Sequence, residues 1–117
     1  MMDEYTDTVE QLADLLETRL PVQEYEQESW RHGEPSASLA WSGDGLERNI
    51  HGIVLDYDGD PMLYLEANAW QDRSGMREWT NNPVGLYDTV EMEEAVEEAY
   101  EVASSIDPGD LDRTAEL

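Results

Sequence analysis

The stretch LERNIHGIVLDYDGDPMLYLEANAWQ, residues 46–71, decides the predicted fold. Two runs rich in β-branched, aromatic and leucine residues, 46–57 and 62–71, flank the pair Asp58-Gly59. Asp-Gly between two such runs is the strongest short signal for a hairpin with a two-residue turn. These residues therefore predict a long antiparallel hairpin at the centre of the fold.

The side chains of this hairpin divide into two unlike faces. Residues that pair across a hairpin have numbers with a constant sum, and this sum is odd for a two-residue turn and for a four-residue turn. Both turns therefore place the same residues on the same face. The first face is apolar, with small residues that suit the approach of a helix: Ile50, Gly52, Val54, Leu63, Leu65, Ala67 and Ala69. The second face is mixed, with large side chains: His51, Ile53, Leu55, Met62, Tyr64, Glu66, Asn68 and Trp70.

Shorter strands are expected on both sides of the hairpin. Residues 36–42 alternate, with Ala37, Leu39 and Trp41 on one side of the strand, but the turn at 43–45 leaves open which sheet face they join. Residues 76–80 form a short last strand. A four-residue loop at 72–75 would place Trp79 on the second face, and 81–85 (NNPVG) is expected to be a loop.

Helices are predicted at both ends of the chain. Apolar residues at helical spacing indicate a first helix over 8–20, with Asp7 as its N-cap. A second helix begins at Asp88 and ends before the Pro and Gly of 107–110. Its apolar stripe is Met92, Ala95, Val96, Ala99, Val102, Ala103 and Ile106.

The predicted fold class is α+β: a four-stranded antiparallel meander flanked by an N-terminal and a C-terminal helix, in the order α-β-β-β-β-α. Residues 1–107 form a single domain, and 108–117 are expected to be a disordered acidic tail. Residues 21–35 have little periodicity, which indicates a loop or a poor edge strand.

Charge is the most unusual property of the sequence. Six Arg, no Lys and 29 Asp plus Glu give a net charge of −23. Because the acidic residues are spread along the whole chain, adaptation to molar salt is the favoured interpretation, and the composition resembles that of proteins from salt-in haloarchaea. There are two alternatives. The chain is disordered, or its acidic surface docks on a basic protein partner as a nucleic-acid mimic does. Four Trp, six Tyr and the periodic segments oppose disorder.

The location is predicted from what the sequence lacks. There is no Cys, the start MMDEYTDT is unlike a signal peptide, and no apolar run approaches the length of a membrane span. We therefore expect a cytoplasmic protein. An anionic surface also predicts no direct binding to nucleic acid or to a membrane.

One motif suggests catalysis. The segment GIVLDYDGDPM (52–62) resembles the nucleophile motif of haloacid-dehalogenase-type phosphotransferases, an apolar strand ending in Asp-x-Asp-Gly. That resemblance implies a nucleophile at Asp56 and a general acid/base at Asp58. In the family a Thr or Val follows the Gly, and a Lys occurs later in the chain. In this sequence Asp60 and Pro61 follow the Gly, and there is no Lys. The simpler interpretation is a hairpin turn.

Other candidate sites are weaker. Asp56, Asp58 and Asp60 suggest weak binding of surface cations, but an EF-hand would need Gly and Glu where Pro61 and Ala67 stand. His32 and His51 have no ligand neighbours at metal-binding spacing, so no metal site and no cofactor are predicted.

The second face supplies the functional hypothesis. Its large apolar and aromatic residues are typical of a contact surface, and the candidate interface is Ile53, Leu55, Met62, Tyr64, Trp70 and Trp79. The sequence thus predicts a non-enzymatic interaction or adaptor module whose partner is another protein or a second copy of the chain. The alternatives are the acidic regulator of a basic protein surface and the phosphotransferase.

Overall fold

In the computed structural model the described backbone comprises residues 2–20, 26–30, 35–43 and 45–117, and the described side chains are those of 7–18, 20, 35–43 and 45–117. These segments form one antiparallel sheet with two helices. The elements are α1 (Met2–Arg19), β1 (Glu26–Trp30), β2 (Ser36–Gly43), β3 (Leu46–Tyr57), β4 (Asp60–Arg73), β5 (Met76–Asp88), α2 (Met92–Ser105) and β6 (Arg113–Glu116). Each strand pairs with the next in chain order.

The α+β class and the terminal helices agree with the prediction, whereas the strand count differs. Four strands were expected. The sheet has five strands of five residues or more, β1 to β5, and the four-residue β6. The additional edge strands are β1, within the segment expected to be a loop or poor edge strand, and β6, within the expected tail.

Residues 108–117 are ordered by contacts with the sheet in place of the expected tail. A short 3-10 helix covers Pro108–Asp110, and β6 then pairs with Met76–Trp79 of β5. The amide of Leu117 donates to the carbonyl of Gly75 at 2.9 Å. All four side chains of β6 are exposed, so backbone pairing holds the strand although its sequence has no hydrophobic pattern.

The central hairpin is built as the sequence predicts. Tyr57 pairs with Asp60, and the two turn residues Asp58 and Gly59 have φ of 54° and 90°. Positive φ at both positions defines the turn that matches the twist of the strands. The next turn is shorter than expected, because Arg73 pairs with Met76 and only Ser74 and Gly75 lie between them.

β5 continues through the predicted loop 81–85. An irregularity opposite Leu65 and Glu66 accommodates Val84 as an extra residue in β5. Pro83 can lie in a strand here because β6 pairs with β5 only as far as Trp79. The pairing with β4 therefore overrides the local loop signal.

Both helices pack on the first face of the sheet. The fully buried residues include Leu12 and Leu16 of α1, Ile50 of β3, and Leu63 and Leu65 of β4. Trp41 lies on this face too, stacked on Tyr100 with ring centroids 5.6 Å apart. This settles the open register of β2.

Both helices begin at residues other than those predicted: α1 begins earlier, and α2 begins at Met92 and not at Asp88. α1 begins at Met2, so Asp7 lies inside it and is not its N-cap. Before α2, Asp88 caps a 3-10 turn by accepting a hydrogen bond from the amide of Val90 at 3.1 Å. The predicted stripe of α2 is buried, except for a partly buried Val102.

Candidate functional site

The second face of the sheet carries no helix in the described part of the chain. We call it the open face and define it by large or polar residues on β3, β4 and β5: Glu47, Asn49, His51, Ile53, Leu55, Met62, Tyr64, Glu66, Asn68, Trp70, Asp72, Arg77, Trp79, Asn81, Leu86 and Asp88. All are partly buried or exposed. β3 has 12 residues and β4 has 14, so the face extends the length of the central hairpin.

All six predicted interface residues lie on the open face. Ile53 pairs directly with Tyr64, and Leu55 with Met62, which forms the apolar half of the face. Trp70 pairs directly with Trp79 at the other end. Each of the six is partly buried, as expected for side chains that pack on their neighbours and still present a surface.

Among the described residues, the apolar half has two carboxylates: that of Asp88, which pairs with Met62 at its edge, and that of Glu66 within it. Glu66 lies directly opposite His51 and accepts a hydrogen bond from the hydroxyl of Tyr64 at 3.2 Å. Burial, followed by the charge of Glu66 and this hydrogen bond, raises the pKa of Tyr64 above its ordinary value of 10.0. The Tyr64 hydroxyl thus serves as a hydrogen-bond donor to Glu66.

A groove of about 410 Å³ lies at the tryptophan end of the open face. We call it the tryptophan groove and define it by Asn49, Asn68, Trp70, Arg77, Trp79 and Asn81, with residues 115–117 along one side. Arg77 packs over the ring of Trp70, with its guanidinium carbon 5.8 Å from the ring centroid.

The charge of Arg77 is compensated by Asp72. The guanidinium donates two hydrogen bonds to the carboxylate, at 2.7 and 3.0 Å. These bonds hold the pKa of Asp72 below its ordinary value, and they raise that of Arg77. The bidentate pair fixes the guanidinium beside Trp70, so Arg77 acts in the groove as part of a neutral pair.

Sequence reasoning missed three polar residues of the groove: Asn49, Arg77 and Asn81. Asn49 pairs with Asn68, and Asn68 pairs with Asn81, so the three amides form one row across β3, β4 and β5. Assigning 81–85 to a loop hid this row. The sequence does contain a signal for Asn81: if the strand that holds Trp79 continues for two more residues, its side-chain alternation places Asn81 on the same face as Trp79.

The candidate catalytic aspartates lie elsewhere. Asp58 is in the tip of the central hairpin, and the Oδ1 of Asp56 accepts a hydrogen bond from the amide of Gly59 at 2.9 Å. β3 runs antiparallel to both of its neighbours, whereas the resemblance implies a parallel sheet. Both carboxylates are exposed, and Asp56 has a structural role in the turn.

Within the described residues, no three His, Cys, Asp or Glu side chains are grouped so that they could hold a metal ion. In the same part of the chain, no helix has the length and apolar character needed to cross a membrane. His32, one of the two histidines, lies outside the described residues.

The fold and the site together define a two-layer α+β protein with helices on one sheet face and an aromatic surface on the other. The chain matches no protein-family model, and no curated protein and no solved structure was found to be similar to it.

Proposed function

We propose that this protein is a non-enzymatic interaction module that associates through the apolar half of its open face, with a second copy of the chain as its partner. The observation that carries the proposal is the gathering of Ile53, Leu55, Met62 and Tyr64 on a sheet face that no described helix covers. Large apolar side chains presented together in this way usually mark a contact surface.

Charge supports a second copy as the partner. Two molecules of net charge −23 repel one another, and the repulsion is weakest where the facing surfaces carry the fewest carboxylates. In the apolar half the described carboxylates are Glu66, which lies beside Tyr64 and opposite His51, and Asp88, which lies opposite Met62 at the edge. Two such halves can pack face to face with a spacing of about 10 Å, as the sheets of a β-sandwich do.

The proposal includes adaptation to molar salt in the cytoplasm of a salt-in haloarchaeon. Near 1 M salt the Debye length is about 3 Å, so the carboxylates around the contact surface are screened from one another. The hydrophobic contribution is retained or strengthened in salts that are excluded from protein surfaces. High salt therefore favours both folding and association of this chain.

The test is the molar mass in solution. The parent protein and the Leu55→Glu variant are compared by sedimentation equilibrium in molar KCl, with Val90→Glu as the control. Val90 is 88% exposed and lies outside the open face, so the control also replaces one aliphatic side chain with a carboxylate. We expect a dimer for the parent and the control, and a monomer for Leu55→Glu. A monomeric parent at about 100 μM, a concentration that detects even modest affinity, would overturn the proposal.

One observation favours a second candidate function, the acidic regulator of a basic protein surface. The helix layer, opposite the open face, carries four exposed carboxylates from Asp7 to Glu17 and six from Glu91 to Glu101. A basic partner would dock on this layer. This candidate predicts a protein that is fully folded in dilute buffer, because the charge would then serve a partner and not the solvent.

A further inference from the structure

The tryptophan groove has an ordered arrangement of side chains that the dimer proposal does not use. Three rows cross the strands: the amide row of Asn49, Asn68 and Asn81, then Trp70 paired with Trp79, then the ion pair of Asp72 and Arg77. Successive rows on one sheet face are about 7 Å apart, and neighbours within a row are about 5 Å apart. The two indole rings therefore lie close enough to the three amides for one small molecule to contact both.

The amide row has unused hydrogen-bonding capacity. Asn68 donates from Nδ2 to the Oδ1 of Asn49 at 2.9 Å, while its own Oδ1 is buried without a partner. Asn81 is exposed at the end of the row. Buried polar atoms in native proteins are nearly always paired, so an orphaned acceptor next to a groove indicates a bound donor or a rotation of the amide to meet one.

The electrostatics of the groove select a neutral ligand. Arg77 is neutralised by Asp72, and Arg73 lies 3.4 Å from Glu78. Arg113, opposite Trp79 on β6, and Glu116, which lines the groove, are of opposite sign, so the groove provides no cluster of like charges for a phosphate or a cation. A quaternary ammonium group would be attracted to the indoles, but it would make no hydrogen bond with the amides. The groove thus combines flat apolar surfaces with groups that both donate and accept.

From this arrangement we infer that the tryptophan groove binds a neutral saccharide of one or two rings. The C–H face of a sugar ring packs on the indoles of Trp70 and Trp79, and its hydroxyls exchange hydrogen bonds with Asn49, Asn68 and Asn81. A volume of about 410 Å³ is at the small end of the range for ligand sites. It accommodates one or two sugar rings, whereas a longer saccharide would extend out of the groove.

This site is separate from the proposed dimer contact. Leu55 lies six residues along β3 from Asn49, which corresponds to about 20 Å in an extended strand. The Leu55→Glu variant is therefore expected to bind saccharide as the parent does, whatever its oligomeric state. Failure of the dimer and failure of the saccharide site can be told apart in this way.

The experiment follows the indole N–H signals of the ¹⁵N-labelled protein by NMR in molar KCl. Trp70→Phe and Trp79→Phe assign the two signals of the groove. The probes are disaccharides with gluco, galacto, manno and N-acetylated configurations, added to about 20 mM, which covers millimolar affinity. We expect at least one probe to shift the Trp70 and Trp79 signals saturably and to leave that of Trp41, buried beneath the helices, unmoved.

Two amide variants sharpen the test. Asn81→Ala removes a groove amide from an exposed position and should weaken binding roughly five- to tenfold, the worth of about one hydrogen bond. Asn82→Ala changes the same residue type one position later, on the helix face, and should bind as the parent does. The inference is overturned if no probe gives a saturable shift, if adenosine shifts the signals and no saccharide does, or if both variants weaken binding equally.

Discussion

Arg48 is a charged residue inside the core, 3% exposed, on the helix face of β3. Its guanidinium donates to the carbonyl oxygens of Ala103 and Ile106 at the C-terminal end of α2, and its Nε donates to the carbonyl of Gly43 at 3.1 Å. A helix leaves its last carbonyls without partners, and its C-terminus attracts positive charge. Arg48 thus caps α2 from the sheet, where the basic last-turn residues that usually do this are absent.

Replacing Arg48 should therefore be costly. Arg48→Met keeps the length of the side chain but leaves buried carbonyls without donors, and we expect the free energy of unfolding to fall by about 2–4 kcal/mol. Arg73→Met is the control, because the Arg73 side chain is 71% exposed in its pair with Glu78, and it should cost at most about 1 kcal/mol. Chemical denaturation in molar KCl measures both. Equal losses would show that Arg48 does not hold the end of α2.

At the scale of the element, the position of α1 depends on a close approach to β3. A Cβ built on Gly52 would lie 2.5 Å from the Cδ2 of Leu12 in α1 and 2.8 Å from the Cδ2 of Leu65 in β4. Both leucines are fully buried, so neither can move aside into open space. The absence of a side chain at this one position lets the helix pack directly on the strand.

The corresponding prediction is that Gly52→Ala is destabilising, although alanine suits a strand at least as well as glycine does. Overpacking of this kind should lower the free energy of unfolding by about 1–3 kcal/mol. Gly109→Ala is the matched control, because no heavy atom lies within 4 Å of its added Cβ, and it should change stability by less than about 0.5 kcal/mol. Thermal unfolding followed by circular dichroism measures the difference. A neutral Gly52→Ala would contradict the close contact of α1 with β3.

At the scale of the whole molecule, exposed carboxylates cover the solvent side of the helix layer as well as the sheet and its turns. In α2 the residues Glu93, Glu94, Glu97, Glu98 and Glu101 are all exposed. Like charges three or four residues apart on a helix cost about 0.2–0.5 kcal/mol each in dilute buffer. Such repulsion is weak at distances beyond the Debye length, which shrinks to about 3 Å near 1 M salt.

Stability should therefore rise steeply with salt. We expect the parent to lose its fold in dilute buffer and to gain thermal stability across a KCl series up to molar concentrations. The double variant Glu97→Gln, Glu101→Gln should need less KCl, because it removes repulsion in the middle of α2 and leaves the buried stripe intact. Far-UV circular dichroism at each KCl concentration measures both proteins. A parent that is fully stable without salt would contradict this prediction and favour the basic partner.

The sequence by itself determined the features that depend on nearest neighbours and on periodicity. The Asp58-Gly59 turn set the register of the central hairpin, and alternation along its strands separated the helix face from the open face. The stripe of α2 from Met92 to Ile106 followed from helical spacing. These signals are local, since a turn type or a two-residue alternation is complete within a few residues.

Only the tertiary structure decided the features that depend on distant partners. β5 runs through Asn81 and Pro83 because β4 supplies its hydrogen bonds, and β6 is a strand because β5 offers it an edge. The row of amides and the capping by Arg48 join residues that are 13 to 58 positions apart in the chain. Pairing energies of this kind are absent from any local window, so the groove and the cap emerge only when the strands are assembled.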